Sequence, residues 1–180
     1  MILKMKDYLK HSKIYKKEIN KAAKIITSSL RKGGLIMWCG NGGSASQSDH
    51  FAAEFVGKFK KVRKPLRSIS LTGNSSVITC ISNDFGFKNL FSRQIEGLGK
   101  RNDVLVSLST SGKSANIFKG IKAAKKKGIK TISLLGKGGG KCKNLSDLEI
   151  LIPSNNTAEI QERHSEICHL ICEMIDKSFK

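Results

Sequence analysis

The chain has 180 residues, 39% of them hydrophobic, and a formal net charge of +19; that is length and apolar content enough for one soluble domain, residues 1–180, with a substantial core. The basic excess does not suit a nucleic-acid reader: only 6 of the 33 basic residues are Arg, they spread along the whole chain, and aromatics make up 6%, so stacking platforms interleaved with Arg are missing. Charges every few residues in the N-terminal stretch leave no apolar run for a leader or membrane span, and five cysteines without a CxxC pair argue against a disulfide framework or zinc knuckle, so a cytoplasmic protein with reduced, mostly buried thiols is expected.

The N-terminal stretch to Leu30 reads as a long amphipathic helix ending before "RKGG", with His11 solvated. Five short apolar or β-branched runs follow: "LIMWCG" from Leu35, "RSISLT" from Arg67, "DVLVSLS" from Asp103, "KTISLLG" from Lys130 and "LEILIP" from Leu148. Each predicts a buried parallel strand. Helices are predicted between them, at Ala45 to Lys58, as a shorter pair between Ser75 and Gly97, and at Ser114 to Lys127, with a last helix from about Thr157 to Phe179. Strands alternating with helices imply a doubly wound α/β sheet.

In such sheets ligands sit beyond the carboxyl ends of the strands. Two ends carry the right chemistry. After the first strand comes "CGNGGSASQSDHFAAEF", and after the third comes "SLSTSGKS", with five hydroxyls in eight residues. A Gly/Ser turn entering a helix is suited to an anion, phosphate above all, although a capped βα turn would look the same. Neither turn matches the GxGxxG or GxxxxGK[ST] nucleotide fingerprints.

His50 and Glu54 stand four residues apart, hence on one helical face, where they could share a divalent metal, act as acid and base, or form a plain surface pair. In the last helix Ile160, Ile167, Ile171, Met174 and Ile175 form an apolar stripe that includes His164, which therefore reads as a hydrogen-bonded core or interface residue. Gln161 and His169 lie at its edge, eight residues or about 12 Å apart, too far for one straight helix to offer both to one metal.

Taken together, "GNGGSASQSDHFAAEFVGKF", "SNDFGFKNLFSRQIEGLGKRNDVLVSLSTSGKSANI" and "TAEIQERHSEICHLICE" resemble the phosphoheptose isomerase (sedoheptulose 7-phosphate isomerase) family of the SIS, or sugar isomerase, fold over nearly the entire chain. The resemblance implies a three-layer αβα sandwich, flavodoxin-like, around a five-stranded parallel sheet and flanked by the terminal helices. It also implies a homotetramer with active sites between subunits. Ser109, Thr110, Ser111 and Ser114 would hold the sugar phosphate, and Asn41, Gly42, Gly43, Asn83 and Asp84 would line the rest of the site. The implied zinc ligands are His50, Glu54, Gln161 and His169, with Gln161 also touching substrate. Glu54 would be the base and His169 the acid of an aldose-ketose isomerisation, feeding heptose precursors of bacterial surface polysaccharide. The alternative is a SIS protein that binds a phosphosugar or a protein partner without turning anything over.

Overall fold

A computed structural model describes residues 14–179, so His11 and the first part of the N-terminal helix lie outside the described residues. The described chain runs α1 (Lys16–Arg31), β1 (Ile36–Cys39), α2 (Gly43–Val56), β2 (Ser68–Ser70), α3 (Ser75–Phe85), α4 (Leu90–Leu98), β3 (Val104–Ser109), α5 (Ala115–Lys126), β4 (Lys130–Leu135), β5 (Leu148–Leu151) and α6 (Thr157–Ser178). Short 3₁₀ turns occupy Phe87–Asn89 and Lys137–Cys142.

All five strands are parallel, in the order β2-β1-β3-β4-β5. Period-two alternation sends Ile36, Trp38, Val104, Val106 and Leu108 to one face and Met37, Cys39 and Leu105 to the other. Both faces are covered, which is why the central strands are apolar throughout. The first face packs on α1, α2 and α6, the second on α3, α4 and α5. The expected three-layer αβα sandwich is the fold observed. The edge strands depart from the expectation of full burial: β2 and β5 are largely half-buried, each paired on one side only.

Trp38 anchors the first core. It is fully buried, donates from its indole N–H to Ser68 Oγ at 3.0 Å, and meets the rings of Phe51 and Phe55 at 5.7 and 5.6 Å. These contacts fix the face that α2 turns to the sheet. Side chains of this size each contribute about 3 kcal/mol or more, judged by the cost of truncating them.

β1 lies between β2 and β3, while the helices after β1 and β3, α2 and α5, leave on opposite faces. This reversal opens a crevice beyond the carboxyl ends of β1 and β3. The two Gly/Ser turns border it.

Four cysteines are buried and Cys80 is exposed; none is paired. His164 is fully buried, as its place in the apolar stripe predicts, but its ring nitrogens reach no partner with hydrogen-bonding geometry, contrary to that expectation. Burial pushes its pKa down to about 4, with the main chain of Leu135 acting in the opposite direction. The folded ring thus resists a proton that the unfolded chain accepts below about pH 6.5. Stability present above that pH is expected to fall by roughly 3 kcal/mol between pH 6.5 and 4. Urea denaturation across this window should show the decline in the native chain and a flatter profile in His164→Leu.

Candidate active site

The turn after β1 runs through Gly40, Asn41, Gly42 and Gly43 into α2. Gly42 has φ +53° and no side chain caps the helix, so its first N–H groups are not met by a side chain. The turn after β3 has the same design: Ser114, at the N-cap of α5, makes no capping hydrogen bond and keeps its hydroxyl free. Ser109 Oγ accepts from the Gly112 N–H at 3.0 Å, and Ser111 Oγ from the Lys113 N–H at 3.2 Å. The turn is therefore pre-shaped by its own hydroxyls.

A reciprocal amide pair ties the two turns together. Asn41 Nδ2 donates to Asn116 Oδ1 at 2.9 Å, and Asn116 Nδ2 donates back to Asn41 Oδ1 at 2.8 Å. Asn116 Oδ1 also accepts from the Ile117 N–H and is almost fully buried. It escaped the sequence reading because an Asn one residue into a helix looks like ordinary capping chemistry. A second missed element is the Lys137–Cys142 turn, where Gly138, Gly139 and Gly140 all have positive φ. Gly139 packs so closely on Gly112, itself at φ +60°, that a Cβ on Gly112 would collide with the Gly139 carbonyl. The run "KGGGK" was the available signal.

Farther along α2, α6 lies alongside in the same direction. Gln47 Nε2 donates to the Gln161 carbonyl and to Ser165 Oγ, each at 2.7 Å, and one turn later His50 Nε2 stands 3.1 Å from His169 Nε2. Glu54 Oε1 is 3.5 Å from His50 Nε2, and one ligand atom from each of His50, Glu54 and His169 can be placed within 4.8 Å of the others. Phe51 and Phe59 flank the His169 ring at 5.1 and 5.3 Å. The His169 pKa is lowered first by burial and then by His50, with Glu54 pulling the other way. Two imidazole nitrogens and a carboxylate oxygen converging in this way are a donor set that suits zinc.

Gln161 is not next to this cluster along its helix. Its side chain lies over Gly43, at the start of α2, eight residues before His169. Asn83 and Asp84 sit exposed at the end of α3 and bond each other, Nδ2 to Oδ1, at 2.8 Å, with Cys80 Sγ near the far oxygen of Asp84. Their hydrogen bonds reach neither turn.

The two helices that bear the cluster are held together by a buried ion pair. Arg63 Nε donates to Asp176 Oδ1 at 2.8 Å, and both side chains are 2% exposed. Arg63 also closes the end of α2, donating to the carbonyls of Glu54 and Phe55 at 2.8 Å, while Asp176 Oδ2 accepts from the Lys60 and Lys61 N–H groups. Burial alone would raise the Asp176 pKa; these donors and the Arg63 charge hold it below the ordinary value.

Residues 3–136 match the family model of the SIS domain. A phosphoheptose isomerase of Campylobacter jejuni is 48% identical over 168 residues, 93% of this chain and 90% of its own. One from Helicobacter pylori is 43% identical over 97% of this chain and 94% of its own. The chain belongs to the phosphoheptose isomerase family. The solved phosphoheptose isomerase of Neisseria gonorrhoeae superposes with a TM-score of 0.86 at 39% identity, covering 94% of this chain and 90% of that one. That structure thus shares nearly all of this fold, whereas the SIS match ends at Gly136, before α6 and His169.

Removing Arg63 leaves Asp176 buried and unpaired. Arg63→Ala is expected to cost about 3–5 kcal/mol, read as a lower urea midpoint at unchanged slope, with Arg63→Lys recovering part of the loss.

Proposed function

We propose that this chain interconverts sedoheptulose 7-phosphate and D-glycero-D-manno-heptose 7-phosphate through an enediol. The observation that carries the reading is the convergence of His50, Glu54 and His169 beside a switch-point crevice with two anion-ready turns. A protein that only held a phosphosugar would need the turns and not the cluster. The family membership agrees, and the product suits heptose precursors of bacterial surface polysaccharide.

The phosphate would lie in the turn from Ser109 to Ser114, met by hydroxyls, main-chain N–H groups and the start of α5. Neutral donors suffice there, so binding does not rest on a buried cation. Asn41, Gly42 and Gly43 would approach the sugar closely, with Asn83, Asp84 and Gln161 completing the lining. Glu54 would move the proton between C1 and C2, the step that an aldose-ketose exchange requires. His169 would exchange a proton with the adjacent oxygens. Zinc, one ion per subunit, would be held by His50, Glu54 and His169 together with Gln161, and when bound would polarise the sugar carbonyl. A carboxylate bound tightly to the ion is a weaker base, so Glu54 would serve the two roles at different points of the cycle.

The placement of Gln161 supports a site shared between subunits. Within one chain its amide lies about 12 Å along α6 from His169, and His50 is about 10 Å down α2 from the Gly43 turn. A second copy would bring a phosphate turn and a Gln161 to the cluster of the first, as the expected homotetramer of single-domain, cytoplasmic subunits provides.

The deciding experiment is to incubate zinc-supplemented protein with sedoheptulose 7-phosphate and follow the aldoheptose phosphate by NMR; a folded, metal-loaded protein that forms none would overturn the proposal. Glu54→Gln is expected to lower kcat by about 10²-fold or more while substrate still binds in a calorimeter. Ser111→Ala should act mainly on KM, raising it about tenfold through one lost phosphate contact.

A further inference from the structure

A second concentration of chemistry lies at the opposite end of the sheet. A cavity of about 580 Å³ opens at the amino ends of β3 and β4, between the last turns of α1 and α5. Its wall includes Lys32, Arg101, Lys126, Lys127 and Lys130, with Asn102 beside them and no acidic side chain. The nearest carboxylates are already committed. Asp103 accepts from the Leu35 and Lys100 N–H groups, and Asp147 from Thr131 and Lys130. Lys127 donates to the Glu96 carbonyl. Lys32, Arg101 and Lys126 have no side-chain partner among the described residues.

Helix ends account for part of this pattern, because Lys32 and Lys126 sit where the negative ends of α1 and α5 favour cations. They do not account for Arg101, in the loop before β3, whereas Lys130 is held by Asp147. With Lys130 paired to Asp147, the other four cations around the cavity still repel each other, and an anion there would relieve them. No aromatic ring lines the wall to stack on a base, so a nucleic acid or nucleotide base finds no platform. The volume lies within the range of small-ligand sites and well above what one phosphate needs.

We propose that this cavity is a second ligand site, distinct from the isomerase crevice, for a compact polyanion carrying two or more phosphoryl groups. The crevice and the cavity stand at opposite ends of β3, about 20 Å apart, so both can be filled at once. Inorganic triphosphate and a sugar bisphosphate share the required chemistry.

The test is calorimetric titration of the full chain with inorganic triphosphate, and separately with fructose 1,6-bisphosphate, at a fixed ionic strength of about 0.15 M. Native protein is expected to bind one triphosphate per chain saturably. The triple variant Lys32→Gln, Arg101→Gln, Lys126→Gln should bind it about tenfold or more weakly, with unchanged isomerase activity. A control triple, Lys21→Gln, Lys58→Gln, Lys88→Gln, lowers net charge equally at exposed positions away from the cavity and should bind like the native chain. Ser111→Ala should also bind like native, which separates this site from the phosphate turn. Absence of saturable binding, equal weakening in both triples, or weakening in Ser111→Ala would overturn the proposal. Bisphosphate binding with the same sensitivity would identify a metabolite as the occupant, whereas binding of triphosphate alone would identify an inorganic one.

Discussion

The parallel pairing of β1 with β3, Ile36 against Val104 through Cys39 against Ser107, is the constraint from which the site follows. Because β2 takes the other edge of β1, the chain reverses direction across the sheet at this pair. Two strands that end side by side then send their helices to opposite faces. Their turns are left side by side, and the Asn41–Asn116 amide pair locks the spacing. The turn after β3 could not adopt this shape alone. Gly112 needs the room that Gly139 leaves it, and Gly139 comes from the turn after β4.

The chemical half of the site depends on a different contact, the side-by-side run of α2 and α6. Apolar packing sets their faces: Phe51 and Phe55 from one helix, and Ile160, Ile167 and Ile171 from the other, enter the same core. Polar contacts then set their register, with Gln47 on Gln161 and Ser165 at one end and Arg63 on Asp176 at the other. His50 and His169 meet between these two fasteners. Two imidazole nitrogens 3.1 Å apart can share one hydrogen bond, and with the Glu54 carboxylate beside them they form a set of donors that can also serve as ligands.

Much of this was legible in the sequence because its signals were local. All five strands, the two Gly/Ser turns and the i, i+4 spacing of His50 and Glu54 each follow from a period or a spacing of a few residues. What could not be read was the set of contacts between distant segments. Asn116 opposite Asn41 spans 75 residues and Arg63 opposite Asp176 spans 113, and nothing in either segment announces its partner. His164 shows the same limit from the other side: periodicity places it in the core, but only the packed structure reveals that its nitrogens go unmet. The His169 end of the cluster was assigned by resemblance, since the spacing on α6 alone argued against joint use with Gln161.

The SIS match stops at Gly136, part-way through the residues that build the site. The hydroxyl turn, His50 and Glu54 lie before it, whereas Gly139, which shapes that turn, the second imidazole of the cluster and the carboxylate that clasps Arg63 lie after it. Holding the ligand and reacting with it therefore each draw on both parts of the chain. The helix that presents His169 is the same one that buries Ile160, Ile167 and Ile171 in the first core and fastens Asp176 to Arg63, so a change of chemistry made from this helix has to preserve the packing of a whole layer.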